Sequence, residues 1–347
     1  MQRLTVSGYL LILLLTWSAA ASAQPAQPRL LEVPAGAAWQ HAQTRMILPS
    51  RVAGLSRGEL RDLGDGELDV VAQYAGGDDG TFATVYLFRT ATPDAALWFD
   101  RALAAILFRP EYGLQSGTPT PAATPFQRPG AAVASGLRAT LDLNASGLRS
   151  SGVAVAPLGP FLLKVRISSS TLERAALDER LARFIEGLRW PALGTAERAA
   201  TAIQPCAEAL RLRNARVIQS GMANVLSDAM GGMLMQDAGE GEPPTYCREP
   251  DASLQYGVYR PDASRERYLI ALADAGIGIA VGEALDLSAL IGDSGGGRRF
   301  SMTMMGRNST SVLPSFNRLP PPAQAVAVAF GNRGPVISVS TDAQRER

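Results

Sequence analysis

The chain is 347 residues long, 46% of them hydrophobic, with 33 basic against 32 acidic side chains and a single histidine. That apolar share suits packed cores, and the length accommodates two domains. A net charge of +1 gives no long-range attraction to nucleic acid or anionic lipid, so neither is an expected partner.

The N-terminus reads as an address. "MQRLTVSGYLLILLLTWSAAASAQP" carries Arg3, then an unbroken apolar run at 10–15, then small residues at Ala21 and Ala23 ahead of Gln24. This is the pattern of a secretory signal peptide, residues 1–23, cut between Ala23 and Gln24; an uncleaved anchor is the alternative. The run falls short of the roughly 20 residues a spanning helix needs, and no later segment reaches that length, so the mature chain is not expected to insert into a membrane. The expected location is the periplasm, with no cysteine near the cut to take a lipid. Removing the leader takes away Arg3 and leaves basic and acidic residues equal in number.

Residues 24–36 read as a flexible Pro/Ala/Gln-rich leader, and 37–192 as the first domain. "AAWQHAQTRMILP" offers a strand or two. "GELRDLGDGELDVVAQYA" and "FATVYLFRT" alternate apolar and polar residues as strands do, with "GGDDG" as the turn between them. The segment 93–107 has helical spacing and Asp94 as its cap. A Pro- and Gly-rich loop spans 110–130. Strands are expected near 132–143, 152–157 and 161–168. The helix 171–190 presents an apolar stripe of Leu172, Ala176, Leu181, Phe184, Ile185 and Leu188.

"PALGTAE" breaks the pattern, and 196–342 reads as a smaller α+β domain. A helix or turn carries Cys206, and a weak helix at 222–236 is interrupted by Gly231 and Gly232. Short strands follow in "LQYGVYR", "RYLIALAD", "IGIAVG", "RFSMTMM" and "SVLPS", then a short helix in "PPPAQAVAVAFG" and a last strand in "PVISVST". In an oxidising compartment two cysteines pair by default, so Cys206 and Cys247 are expected to form a disulfide.

"RMILPSRVAGLSRGELRDLG" with "ATVYLFRT", and later "FLLKVRISSS" running into "ALDERLARFIEGLRW", resembles the PsbP/Mog1-type sandwich, an antiparallel sheet with helices on both sides. The resemblance covers about 150 residues. It implies a binding or assembly factor and carries over no catalytic residue. The second half, with "PC", "YC", "YGVYR" and "ADAG", resembles exported proteobacterial proteins without an assigned activity.

Three stretches suggest chemistry. Gly292-Asp293-Ser294-Gly295-Gly296 matches the surroundings of the nucleophile in chymotrypsin-like proteases. A triad also needs a histidine base and an orienting aspartate. The one histidine, His41, lies in "WQHAQ", far off in the other domain and without that family's flanking residues. A glycine-rich turn explains the stretch better, and His41 reads as a strand or surface residue. Methionines cluster at Met222, Met230, Met233 and Met235 and again at Met302, Met304 and Met305. Thioethers bind Cu(I), with Met230, Met233 and Met235 as the candidate ligands, but core packing is the simpler account. Asp62, Asp65, Glu67 and Asp69 invite a calcium reading, yet the glycine and glutamate of an EF-hand loop are missing. Their period of two reads instead as a solvated strand face. Gly276, Gly278 and Gly282 miss the dinucleotide spacing.

The resulting expectation is a non-catalytic periplasmic binding protein without a cofactor, taking an envelope protein or a small ligand between its domains. A Ser294 hydrolase and a methionine-based copper binder are the alternatives.

Overall fold

Twenty strands and three helices are ordered as follows in the computed structural model, which describes residues 28–34, 36–76, 79–114, 119–143, 147–192, 197–218, 243–250, 253–284, 298–331 and 337–340. The first half carries β1 (Arg29–Leu30), β2 (Trp39–Gln40), β3 (Ile47–Leu48), β4 (Arg51–Val52), β5 (Leu55–Gly64), β6 (Asp69–Ala75), β7 (Thr81–Arg89), α1 (Ala95–Leu107), β8 (Thr124–Phe126), β9 (Gly136–Asp142), β10 (Ser150–Leu158), β11 (Phe161–Ser169) and α2 (Arg174–Gly187). The second half carries β12 (Gln204–Pro205), β13 (Val217–Ile218), β14 (Tyr246–Arg248), β15 (Tyr256–Pro261), β16 (Tyr268–Leu272), β17 (Ile277–Glu283), β18 (Phe300–Met305), β19 (Ser309–Phe316), α3 (Pro322–Gly331) and β20 (Ile337–Ser340).

The class is mixed α and β with mostly antiparallel pairing. The first sheet runs β1-β5-β6-β7-β11-β10-β9-β8, with β4 also on β5. The second runs β12-β14-β15-β16-β17-β18-β19-β13, with β20 also on β19. Only β12 and β14 pair in parallel among these. The second sheet therefore equals the first in strand number, nine each.

The strand period of two decides what each sheet face meets. On β7 and β11, Ala83, Val85, Leu87, Leu163, Val165 and Ile167 join the core under α2, which contributes Leu177, Leu181, Phe184 and Ile185. On the opposite face, Phe88 and Leu162, with Leu137, Ala139, Val153 and Val155 of β9 and β10, meet α1. Asp94 caps α1 by accepting from the Leu97 amide at 2.8 Å, the role its position implied.

Helix α1 is buried on all sides: every residue from Leu97 to Ile106 is buried. Its outer face packs on the second sheet through Tyr259, Leu269, Ala271 and Met305, so one core joins both halves of the chain. Leu97, Trp98, Phe99, Leu103 and Ile106 each contribute about 1.5–3 kcal/mol by leaving water. The far face of the second sheet buries Val258, Tyr268, Ile270, Met302 and Phe316 against Ala325 of α3. The order of layers is α2, first sheet, α1, second sheet, α3.

Several expectations are corrected. The stretch 24–36 does not stay a free leader: Arg29 and Leu30 pair with Asp62 and Arg61 of β5. In α2 the inward residue is Leu177, not Ala176, because the helix starts at Arg174 and Leu177, Leu181, Phe184 and Ile185 then share one stripe. Cys206 follows the short strand β12 rather than sitting in a helix. The loop 110–130 holds a 3-10 turn at Pro110–Tyr112 and the edge strand β8. The weak helix expected at 222–236 lies outside the described residues, as do residues 1–23 of the expected signal peptide.

Candidate functional site

His41 is a structural residue. It is fully buried against the edges of Trp39 and Phe161. Its Nε2 donates to the Glu67 carbonyl at 2.8 Å. That partner only accepts, so Nδ1 is the bare nitrogen and takes the Thr44 amide at 3.0 Å and the Thr44 hydroxyl at 2.9 Å. Burial lowers its pKa, against the pull of Glu67 and Asp62. Both nitrogens are engaged, so the ring ties down the β2–β3 corner; the expectation of a strand or surface position is corrected to a core position just after β2. Ser294, its proposed partner, lies outside the described residues, as do Met222, Met230, Met233 and Met235.

The other methionines pack. Met302 is wholly buried in the core under α3, and Met305 joins the core around α1. The acidic stretch is not a solvated face: Asp62 and Asp69 are buried. Asp62 accepts the amides of Gly64 and Glu67, each at 3.1 Å, and fastens the 3-10 turn between β5 and β6. No cluster of three or more metal-ligating side chains occurs among the described residues. Cys206 and Cys247 form the disulfide, bridging a sequence separation of 41.

The junction between the halves carries the charges that the sequence did not explain. Arg101, on α1, is wholly buried. Its guanidinium donates to the carbonyls of Ala273 at 2.8 Å, Ser253 at 3.1 Å and Leu254 at 3.2 Å. Beside it Asp100 accepts from the Tyr259 hydroxyl at 2.7 Å and pairs with Arg248. The turn that Arg101 grips holds Asp274, whose carboxylate meets Lys164 of β11 at 2.7 Å. Lys164 also lies 4.3 Å from the centre of the Tyr86 ring. Burial lowers the Lys164 pKa. Burial raises that of Asp274, but Lys164 and Arg166 outweigh it and hold Asp274 as a carboxylate. Asp69 pairs with Arg307 from the β18–β19 turn, and burial raises its pKa against that pairing. Gly276 closes the junction: at φ +76°, an added Cβ would lie 2.7 Å from the Phe88 ring.

Next to this junction the first sheet is left half bare. Helix α1 covers β9 and β10, while β6 and β7 turn Val71, Gln73, Ala75, Phe82, Thr84 and Tyr86 to the same side. Phe82, near the start of β7, is 44% exposed, Gln73 and Ala75 are exposed, and Thr84 and Tyr86 are half-buried. Register sets Arg166 opposite Thr84 and Lys164 opposite Tyr86. Arg166 makes no hydrogen bond or ion pair among the described residues, and its Nη2 is closed off from water without a partner.

No family model, curated protein or solved structure matches the chain. The site is therefore read from its own geometry. Two cavities lie away from the junction. One, about 140 Å³, is lined by Leu210, Leu212, Glu249, Pro321 and Pro322. The other is an open groove of about 610 Å³ along Asp142, Leu143, Leu148, Arg149 and Glu173. The first is below the roughly 300 Å³ of an ordinary small-molecule pocket. In the second, Arg149 pairs with Glu173 and leaves that cation occupied.

The sequence signal for the junction was slight. "AALWFDRALAAIL" has only Asp100 and Arg101 as charged residues, too few to clothe a solvent face, which marks a helix buried all round. Nothing local pointed to Lys164 or Arg166, which alternate with Val165 as any half-exposed strand does.

Proposed function

We propose that this is an exported periplasmic protein that binds a protein partner and catalyses no reaction, with the bare half of the first sheet as its binding surface. The observation that carries the reading is the exposed Phe82 on that face, 44% open, beside the unpaired Arg166. Aromatic and arginine side chains are the residue types that anchor protein interfaces. A flat sheet surface suits a protein better than a metabolite, which needs concavity. Helices on both faces of the first sheet agree with a PsbP/Mog1-type sandwich, whose members bind and assemble. Export rests on the signal-peptide pattern at 1–23, and no helix among the described residues is long and apolar enough to cross a membrane.

The test places a photo-crosslinking amino acid at Phe82 and, as a control, at Glu179 on the exposed side of α2. Irradiated cells should give one discrete protein adduct from position 82 and none from 179. Equal smears from both positions, or no adduct from 82, would refute the reading. N-terminal sequencing of the exported protein should start at Gln24.

A further inference from the structure

We propose that Arg166 receives a carboxylate from an acidic segment of a polypeptide laid across the bare half of the first sheet; the assignment rests on that face being the binding surface.

Arg166 stands out by what it lacks. Arg101, Arg128, Arg180, Arg248 and Arg260 each donate hydrogen bonds or pair with a carboxylate. Arg166 does neither, although it lies within a strand, β11, that is paired along its whole length on both sides. Asp274 feels the Arg166 charge, but its carboxylate is bonded to Lys164 at 2.7 Å. Asp69 is taken by Arg307. At the junction Arg248, Lys164 and Arg307 each hold a carboxylate and Arg101 is held by carbonyls, which leaves Arg166 as the cation with neither.

The setting makes that charge effective. The Nη2 nitrogen is out of contact with water and has no acceptor, so the guanidinium is partly desolvated, and an anion meeting it is attracted more strongly than in bulk water. The rest of the side chain is only half-buried and open to approach. The planar fork of the guanidinium fits a carboxylate edge with two parallel hydrogen bonds. Thr84 lies directly across from Arg166, with Phe82 one pleat further along β7. An acidic residue next to an apolar one in an extended chain would meet both. An arginine kept for structure should cost stability when removed. One kept for a ligand, half-desolvated and unpaired, should cost none.

The experiment follows the backbone amide resonances of Thr84 and residue 166 in the mature chain. The probe is acetyl-Glu-Phe-Glu-amide, with acetyl-Gln-Phe-Gln-amide as its neutral twin and inorganic phosphate as competitor. The acidic probe should shift both resonances saturably, and the neutral twin should bind at least tenfold more weakly. Arg166→Gln should lose the acidic preference without a fall in melting temperature, and Arg166→Lys should keep part of it. Equal binding of the two probes, no saturable shift, or displacement by phosphate below the probe's own Kd would overturn the assignment. So would an Arg166→Gln melting temperature as low as that of Lys164→Met, since that marks a structural cation. A crosslink from position 82 with no probe preference would end the carboxylate assignment and leave the binding face standing; loss of both would end both.

Discussion

Replacing Arg101 by Met should uncouple the two halves of the protein. The substitution keeps most of the buried volume but removes every hydrogen bond from the guanidinium to Ala273, Ser253 and Leu254. Three carbonyl acceptors then lose their donor. Each hydrogen bond from a charged group contributes about 1.5–3 kcal/mol, so the loss is about 4.5–9 kcal/mol. It is offset by several kcal/mol, because the variant no longer buries a cation. A net destabilisation of about 2–5 kcal/mol remains. Against a total stability of about 5–15 kcal/mol this is a large share. Urea unfolding followed by tryptophan fluorescence reads it directly, since Trp98 sits three residues before Arg101 in the same helix and is buried with it. The wild type should unfold in one transition and the variant at a clearly lower midpoint. A change under about 1 kcal/mol would refute the argument, because it would mean that the three carbonyls find water as readily as they find Arg101.

The remaining expectations concern smaller parts. His41 has its pKa lowered by burial, so the folded form disfavours the protonated ring. Stability is then fully present above the ordinary histidine value and declines as pH falls from about 6.5 toward the lowered folded value. Melting temperatures from pH 7.5 to 5 should slope less in His41→Gln than in the wild type, and parallel slopes would count against it. Reducing the Cys206–Cys247 bond, which spans 41 residues, should cost about 4 kcal/mol by loop-closure entropy; the native protein should resist iodoacetamide, and two alkylated thiols before reduction would contradict the bond. Gly276→Ala puts a Cβ 2.7 Å from Phe88 at a left-handed φ of +76°. Backbone strain and overpacking together predict a loss of about 2–5 kcal/mol, read by calorimetry; a neutral result would mean that the junction is looser than its geometry.

Local patterning was legible in the chain; long-range pairing was not. The cap at Asp94, the helix through Phe184, and the three strands β9 to β11 follow from periodicity and turn chemistry acting within a few residues. The cysteine pair follows from count and compartment. Asp62 and Asp69, which alternate like a wet strand face, are misread for different reasons. Asp62 turns inward to take the Gly64 and Glu67 amides of a local turn, and Asp69 meets Arg307, 238 residues away. Asp100 and Arg101 are too few charges for a solvent face, but what covers them, a second sheet whose nearest contact lies 148 residues on, is not written beside them. Arg166 is the converse case: an ordinary strand charge in the sequence, recognisable as unpaired only once its neighbours' partners are known.

The sharing of α1 between two sheets has a bearing on how the chain comes to be folded at all. Synthesis and any passage through a narrow pore deliver the helix early, whereas Ala273, which closes over Arg101, arrives 172 residues later. Until then the outward face of α1, with its buried cation, has no cover. The first sheet and α2 can assemble meanwhile, but the half-made molecule presents an apolar flank of the kind that holdase chaperones bind and proteases find. Completion is thus tied to the last third of the sequence, and a chain cut short near residue 200 would be left with its central helix on the outside.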